Sequence, residues 1–401
     1  MSGATVIHSA RLVDVDGIVD DAWVRFEGDR VAARGTGDGW REDAPTGTDS
    51  TTGTDAPTTP PGPVDVVDAA GRTLAPGFID LHVHGAGGAA VEGGAAAIDT
   101  LLAVHSAHGT TRSVLSLVSA PVDVLAGRLA TIAEASRRDP RVLGAHLEGP
   151  FLDDGFRGAH DPAALRTADA AAVDALLEAS EGELRQITIA PEHPGATDAI
   201  RRFAAAGAAV AVGHTGADYA TALGAFDAGA SILTHAFNGM RGIHHRAPGP
   251  VIAAMHAGHV TLEVVNDGIH VHPDVVGLAF RGAPGRVALI TDAMAATGSA
   301  DGRYLLGSLE VDVRDGVARL AEGGAIAGST LTLDDALRRA VAECGVALVD
   351  AVAALTAVPA AAIGRSGDLG RLAPGFAADA VLLDAGLAVD AVWAAGRRLA
   401  G

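Results

Sequence analysis

The chain has 401 residues, with 49 acidic against 29 basic side chains and a formal net charge of −20. A surface of that sign argues against nucleic acid or an anionic membrane as partner, although a locally basic site could still take an anionic substrate. All 29 basic residues are arginine, which excludes Schiff-base chemistry, a phosphate-loop lysine and a metal-bridging carboxylated lysine, and leaves Arg, His or backbone amides for any anion clamp.

In chain order, the opening residues show neither a basic n-region nor an apolar h-region, so no signal peptide is expected. No apolar run reaches the roughly 18 residues of a membrane span, and the single Cys344 permits no internal disulfide. A cytoplasmic protein is the expectation. Residues 4–34 alternate apolar and polar side chains (Thr5-Val6-Ile7, Ala22-Trp23-Val24-Arg25-Phe26), which predicts short antiparallel strands. From 35 to 63 the composition collapses to Gly, Thr, Asp, Ser and Pro around a lone Trp40, which predicts a disordered surface insertion.

Between Thr73 and Asp292 the pattern changes to eight Val/Ile/Leu-rich runs: 74–83, 111–118, 141–147, 185–190, 208–213, 231–234, 259–265 and 286–291. Ala-rich stretches of helical spacing separate them, among them 122–138, 162–179 and 218–229. Eight strand–helix repeats over about 220 residues are what a closed parallel barrel requires. A strand-like stretch at 308–320, helices at 333–344 and 348–355, and strands over 380–399 follow. The expected architecture is an α/β fold, a (β/α)8 barrel with a small β-sandwich domain made by the two terminal segments. Its parts are 1–72 (first part of the small domain), 73–365 (barrel and C-terminal helices, with a β insertion at 300–330) and 366–401 (second part of the small domain).

His82 and His84 close the first run. Two residues apart on a strand they share a face, a half-site for a borderline metal such as zinc. Glu148 closes the third run, His214 the fifth, His235 the sixth and Asp292 the eighth, all at strand C-terminal ends, where barrels carry their chemistry. Singly, each has a plainer explanation: a core histidine, a turn carboxylate, or an Asp capping the next helix. Four histidines and two carboxylates at one barrel mouth are not explained by packing. His8, His105, His108, His193, His244, His245, His256, His259 and His272 are read as surface or supporting groups.

The strings PGFIDLHVHG, HLEGPF with GAHDP behind it, GHT, THAFNGM, RAPG, NDGIHVHP and TDAM, in that order from Pro76 to Asp292, resemble the N-acetylglucosamine-6-phosphate deacetylase family, a branch of the metal-dependent amidohydrolases. The resemblance implies hydrolysis of the acetamide of N-acetyl-D-glucosamine 6-phosphate to D-glucosamine 6-phosphate and acetate, in amino-sugar catabolism and cell-wall sugar recycling. It implies that Glu148, His214 and His235 hold a primary divalent metal, with zinc first and iron, cobalt or manganese as the other choices. Asp292 would shuttle the proton of the attacking water and His160 would polarise the substrate carbonyl. Asn238, the Gly239 N–H (alanine is usual in the family), His270 and Arg246 would bind the phosphosugar, Arg246 reaching the neighbouring active site of a homodimer. Some members lacking one histidine of the pair work with one metal; this chain keeps His82 and His84, which predicts a second metal bridged by Glu148.

Two readings compete with this one. The chain could be a related amidohydrolase acting on N-acetylgalactosamine 6-phosphate or another N-acyl amino sugar, or a scaffold that kept the barrel and lost the chemistry. Retention of every expected ligand and of Asp292 argues against the scaffold.

Overall fold

The structure, a computed structural model, describes residues 4–41 and 64–400. Eight parallel strands form its central sheet: Phe78–Val83, Thr110–Val118, Val142–Glu148, Leu184–Ile189, Ala209–Val212, Ala230–Leu233, Thr261–Val265 and Val287–Ile290. Each pairs with its neighbours in sequence. Helices cover the outer face and side chains fill the interior, so most positions of these strands are buried; this is why they read as apolar runs rather than as alternation.

The seam between the first and eighth strands closes by other means. Above, Asp292 N–H donates to the His82 carbonyl (2.9 Å) and His84 N–H to the Ala293 carbonyl (2.8 Å). Below, Ile79 N–H reaches Leu355 O (2.8 Å) and Leu289 N–H reaches Ala354 O (2.9 Å), so the end of a helical segment plugs the gap. Inside, the Thr291 hydroxyl donates to buried Asp80 at 2.6 Å.

The covering helices follow their sequence. Helix 122–138 turns Leu125, Leu129, Ile132 and Ala133 inward, the spacing of one helical face. Asp169 and Asp218 cap the helices that follow them, accepting from Ala172 N–H (3.0 Å) and Thr221 N–H (2.8 Å). The helix expected over 162–179 therefore starts only at Ala170, after a short 3-10 turn at Pro162–Ala164.

The two terminal segments build a second sheet, in the order Arg397–Ala400, Val389–Ala394, Ala380–Leu383, Thr73–Pro76, Ala4–Asp14, Gly17–Glu27, Arg30–Thr36, with Val64–Asp68 also paired to Ala4–Asp14. Ile7, Val24, Phe26, Leu382 and Trp393 from both parts of this path share one buried cluster, so the sheet packs on itself as a sandwich. The first apolar run is thus split: Thr73–Pro76 belongs to the small domain and Phe78–Val83 to the barrel. Gly77 makes the transfer, and a Cβ there would sit 2.2 Å from Thr111 Oγ1. Residues 35–41, expected to lie in the disordered insertion, complete a strand and form a 3-10 turn in which Trp40 stacks on His8, centroids 4.5 Å apart. The rest of that insertion, 42–63, lies outside the described residues.

A third sheet, Gly302–Leu306, Leu309–Arg314 and Val317–Leu320, follows the eighth barrel strand. Its Leu306, Val311, Val313 and Ala318 pack with Val118, Ala159 and Met294, which sets it over one side of the barrel mouth. Among the described residues, no helix is long and apolar enough to cross a membrane.

Candidate active site

Glu148 is the last residue of the third strand; His214, His235 and Asp292 each lie two residues beyond a strand end. The backbone at these three is left-handed, with φ of 47°, 23° and 50°. Non-glycine residues seldom adopt that region, and such strain persists where the surroundings impose it, often at functional sites. Here the turn swings all three side chains into the barrel mouth. Gly149 (φ 89°) permits the turn after Glu148, since a Cβ there would lie 2.2 Å from Ser119 Oγ.

The buried Glu148 carboxylate is the hub. Its Oε1 lies 2.9 Å from His214 Nε2 and 3.0 Å from His235 Nε2, and these two nitrogens are 3.0 Å apart. Its Oε2 faces the other way, 3.5 Å from His82 Nε2, 3.3 Å from His84 Nε2 and 3.4 Å from His160 Nε2. His82 Nε2 and His84 Nε2 are 3.0 Å apart, and Asp292 Oδ1 lies 3.5 and 3.3 Å from them.

These spacings test whether a metal fits. Ligands about 2.0–2.1 Å from a zinc-sized ion are themselves roughly 3 Å apart. His214 Nδ1 donates to the Phe156 carbonyl at 2.9 Å, which leaves a lone pair on its Nε2. That lone pair, the carboxylate oxygen and His235 Nε2 converge with no proton required between them, the arrangement a cation completes. His82, His84 and Glu148 Oε2 form a second converging group. The donor set fits two divalent metals sharing Glu148.

His160 is held in the opposite tautomer. Ser119 N–H donates to its Nδ1 at 3.2 Å, so neutral His160 carries its proton on Nε2, pointing into the site. A ring so arranged is a hydrogen-bond donor for a substrate oxygen.

Charge is fixed by the same packing. Burial opposes ionisation of Asp292, but His82 and His84 overcome it and hold the carboxyl at about 2. Burial likewise opposes protonation of His84, yet Asp292 and Glu148 raise it to about 9 in the metal-free protein. His82 is raised well above its ordinary value against burial, by Glu148 and Asp292. Burial works against His270 too, but Asp267, 2.6 Å from its Nδ1, raises it.

A cavity of about 240 Å³ opens over these groups, lined by His84, Glu148, His160, His214, His235, Asn238, Gly239, His270 and Asp292, with Val118, Leu306 and Ile326 as an apolar wall. His82 lies beneath His84. Every residue expected at the site is thus brought together except Arg246, which stands exposed on the loop after the sixth strand and does not line this cavity. Among the described residues, no arginine lines it. At Gly239 (φ 59°) a Cβ would stand 3.1 Å from His214 Nδ1, so the glycine leaves His214 unhindered.

Sequence reasoning missed several supporting groups. His146, two residues before Glu148 and on the same strand face, lies edge-on against His82, centroids 4.6 Å apart, held by Ser116 Oγ and Thr188 Oγ1 at 2.9 Å each. The spacing argument that picked out His82 and His84 applied equally to this pair. Asp80, Gln186 and Glu263 are polar side chains inside apolar parallel strands, a signal that was there to be read.

A parallel barrel with imidazoles and carboxylates converging at its carboxyl mouth defines a barrel hydrolase of the metal-dependent class. The match to the Amidohydrolase family covers residues 73–399, and the chain belongs to that family. It is 41% identical over 341 residues to N-acetylgalactosamine-6-phosphate deacetylase of Escherichia coli O157:H7, covering 84% of this chain and 90% of that one. It is 37% identical over 347 residues to N-acetylglucosamine-6-phosphate deacetylase of Vibrio furnissii, covering 85% and 84%. In structure it is similar to a variant of N-acetyl-D-glucosamine-6-phosphate deacetylase from Mycobacterium smegmatis, solved in complex with N-acetyl-D-glucosamine-6-phosphate (TM-score 0.89, 38% identity, 100% of each chain covered).

Proposed function

We propose that this chain hydrolyses the acetamide of N-acetyl-D-glucosamine 6-phosphate, giving D-glucosamine 6-phosphate and acetate. The observation that carries the reading is the placement of Glu148, one oxygen toward His214 and His235 and the other toward His82 and His84, with Asp292 beside the pair. Relatives at 37–41% identity named as amino-sugar phosphate deacetylases supply the substrate class.

Glu148, His214 and His235 would hold the primary metal, and His82 and His84 a second that shares Glu148. Bound there, a divalent cation lowers the pKa of water from about 15.7 toward 7. Zinc suits the imidazole–carboxylate set, as iron, cobalt or manganese would. Asp292, ionised at neutral pH, takes the proton of the attacking water and returns it to the departing amine nitrogen. His160 Nε2–H donates to the acetamide oxygen as negative charge builds there. Asn238, the Gly239 N–H and His270 contact the phosphosugar. Because no arginine among the described residues lines the cavity, Arg246 of a second copy meets the phosphate; the working unit is then a homodimer, placed in the cytoplasm with the sugar-phosphate pool.

The 41% identity to a galactosamine-type enzyme favours a second reading, with the C4 epimer as the preferred substrate. Acetate release from both 6-phosphates, by metal-free protein resupplied with Zn²⁺, Fe²⁺, Co²⁺ or Mn²⁺, tests the two together. The expected result is metal-dependent release, faster with the glucosamine derivative; faster turnover of the galacto epimer selects the second reading, and no release from either with any metal overturns both.

A further inference from the structure

Glu263 sits in the seventh barrel strand, completely buried, and none of the chemistry above uses it. Its Oε1 accepts from Gln186 Nε2 at 2.8 Å. Its Oε2 has no hydrogen-bond partner among the described residues and lies 3.5 Å from His82 Nδ1, which has none either. A buried carboxylate oxygen without a donor and a buried ring nitrogen without an acceptor are each costly, and here each faces the group the other lacks.

The consequence concerns the opposite side of the ring. With Nδ1 carrying the proton toward Glu263, His82 Nε2 has a free lone pair, directed at His84 Nε2 (3.0 Å) and Glu148 Oε2 (3.5 Å). His146, edge-on against the ring, limits its tilt. Carboxylate–histidine pairs of this kind orient metal-ligating imidazoles and raise their basicity. His84 has no equivalent, since its Nδ1 lacks any partner among the described residues.

We infer that Glu263, anchored by Gln186, is the positioning residue of the His82–His84 metal site: it holds the proton of His82 on Nδ1 so that Nε2 is aimed at the metal. The inference rests on the reading of His82 and His84 as metal ligands.

The test counts metal rather than product. Metal-free wild type, Glu263→Gln and Glu263→Leu are titrated with Zn²⁺ against a competing chelator. In Glu263→Gln the amide oxygen can still accept from His82 while Gln186 turns its unpartnered Oε1 to the new amide nitrogen, so the hydrogen bond survives without the charge. The second zinc equivalent is expected to weaken about tenfold in Glu263→Gln and about a hundredfold in Glu263→Leu, the range for loss of such a partner; the first equivalent holds in both. Equal affinities in all three proteins, equal weakening of both equivalents, or a wild type that takes up only one equivalent would each overturn the inference. Should Glu263→Leu not fold, the contrast between wild type and Glu263→Gln decides. Acetate release by the wild type reports separately on the proposed activity.

Discussion

His160 and His214 meet edge to face, ring centroids 4.5 Å apart, yet backbone groups fix them in opposite tautomers. Ser119 N–H fills the His160 Nδ1 lone pair, and the Phe156 carbonyl takes the His214 Nδ1 proton. One ring therefore presents a proton to the cavity and its neighbour presents a lone pair, so one donates while the other ligates. The expected outcome for His160→Gln is a fall in kcat of about 10²–10³, the cost of losing one oxyanion donor, with metal content unchanged by elemental analysis. His214→Gln should instead lose the primary metal. A His160→Gln protein stripped of metal would contradict this division.

Asp292 is ionised in a buried setting because two histidines face it. Asp292→Asn keeps the shape and removes the base, so turnover should drop by about 10²–10⁴, the usual contribution of a positioned acid–base group. Substrate affinity, measured by equilibrium binding, should change little. A loss confined to affinity would place Asp292 in binding rather than proton transfer.

Much of this was legible in the sequence because parallel barrel strands are buried on both faces. Continuous apolar runs marked them, and their C-terminal ends marked the mouth; His82, Glu148, His214, His235 and Asp292 could be placed that way. The boundary at Gly77 was not legible, since Thr73–Pro76 and Phe78–Val83 are equally apolar although they serve different sheets. Nor was the 3-10 turn around Trp40, whose order comes from stacking on His8, some thirty residues away in the chain. The tautomers of His160 and His214 depend on backbone groups of Ser119 and Phe156, partners that residue identity does not reveal.

Arg246 stands outside the cavity of its own chain. If a second copy supplies it, Arg246→Ala should raise KM for the 6-phosphate substrate by tenfold or more, the scale of a charge-assisted contact worth about 1.5–3 kcal/mol, and barely affect an unphosphorylated N-acetyl sugar. Mixing Arg246→Ala with an Asp292→Asn protein should restore part of the activity in mixed dimers, each carrying one intact site. No recovery on mixing, or a monomer in sedimentation, would remove the cross-subunit role.

Arg112 and Asp379 join the base of the barrel to the small domain through two parallel contacts, Nε to Oδ2 at 2.6 Å and Nη2 to Oδ1 at 3.0 Å, both side chains buried. Asp379 Oδ1 also accepts from Ala395 N–H at 2.7 Å. Removing one partner strands a buried charge, so Asp379→Ala should destabilise the protein by about 3–5 kcal/mol, read from chemical denaturation. The site lies at the far end of the barrel, and kcat of the folded fraction should be unaltered.

Metal uptake at the histidine pair should be coupled to protons. In the metal-free protein His84 titrates at about 9 and is therefore cationic at pH 7; burial opposes protonation of His82 as well, but Glu148 and Asp292 raise it. A raised histidine pKa stabilises the metal-free fold fully below the unfolded value near 6.5, and that contribution is lost as pH climbs through 9. A ligating imidazole must give up its proton, so the two processes compete. Zinc binding at the second site should strengthen between pH 7 and 9 and level off above, with His84 releasing a proton at pH 7. Calorimetric titrations at pH 7 in buffers of different ionisation enthalpy would register that release in the second binding step, and a step whose heat did not depend on the buffer would mean that the pair is already neutral.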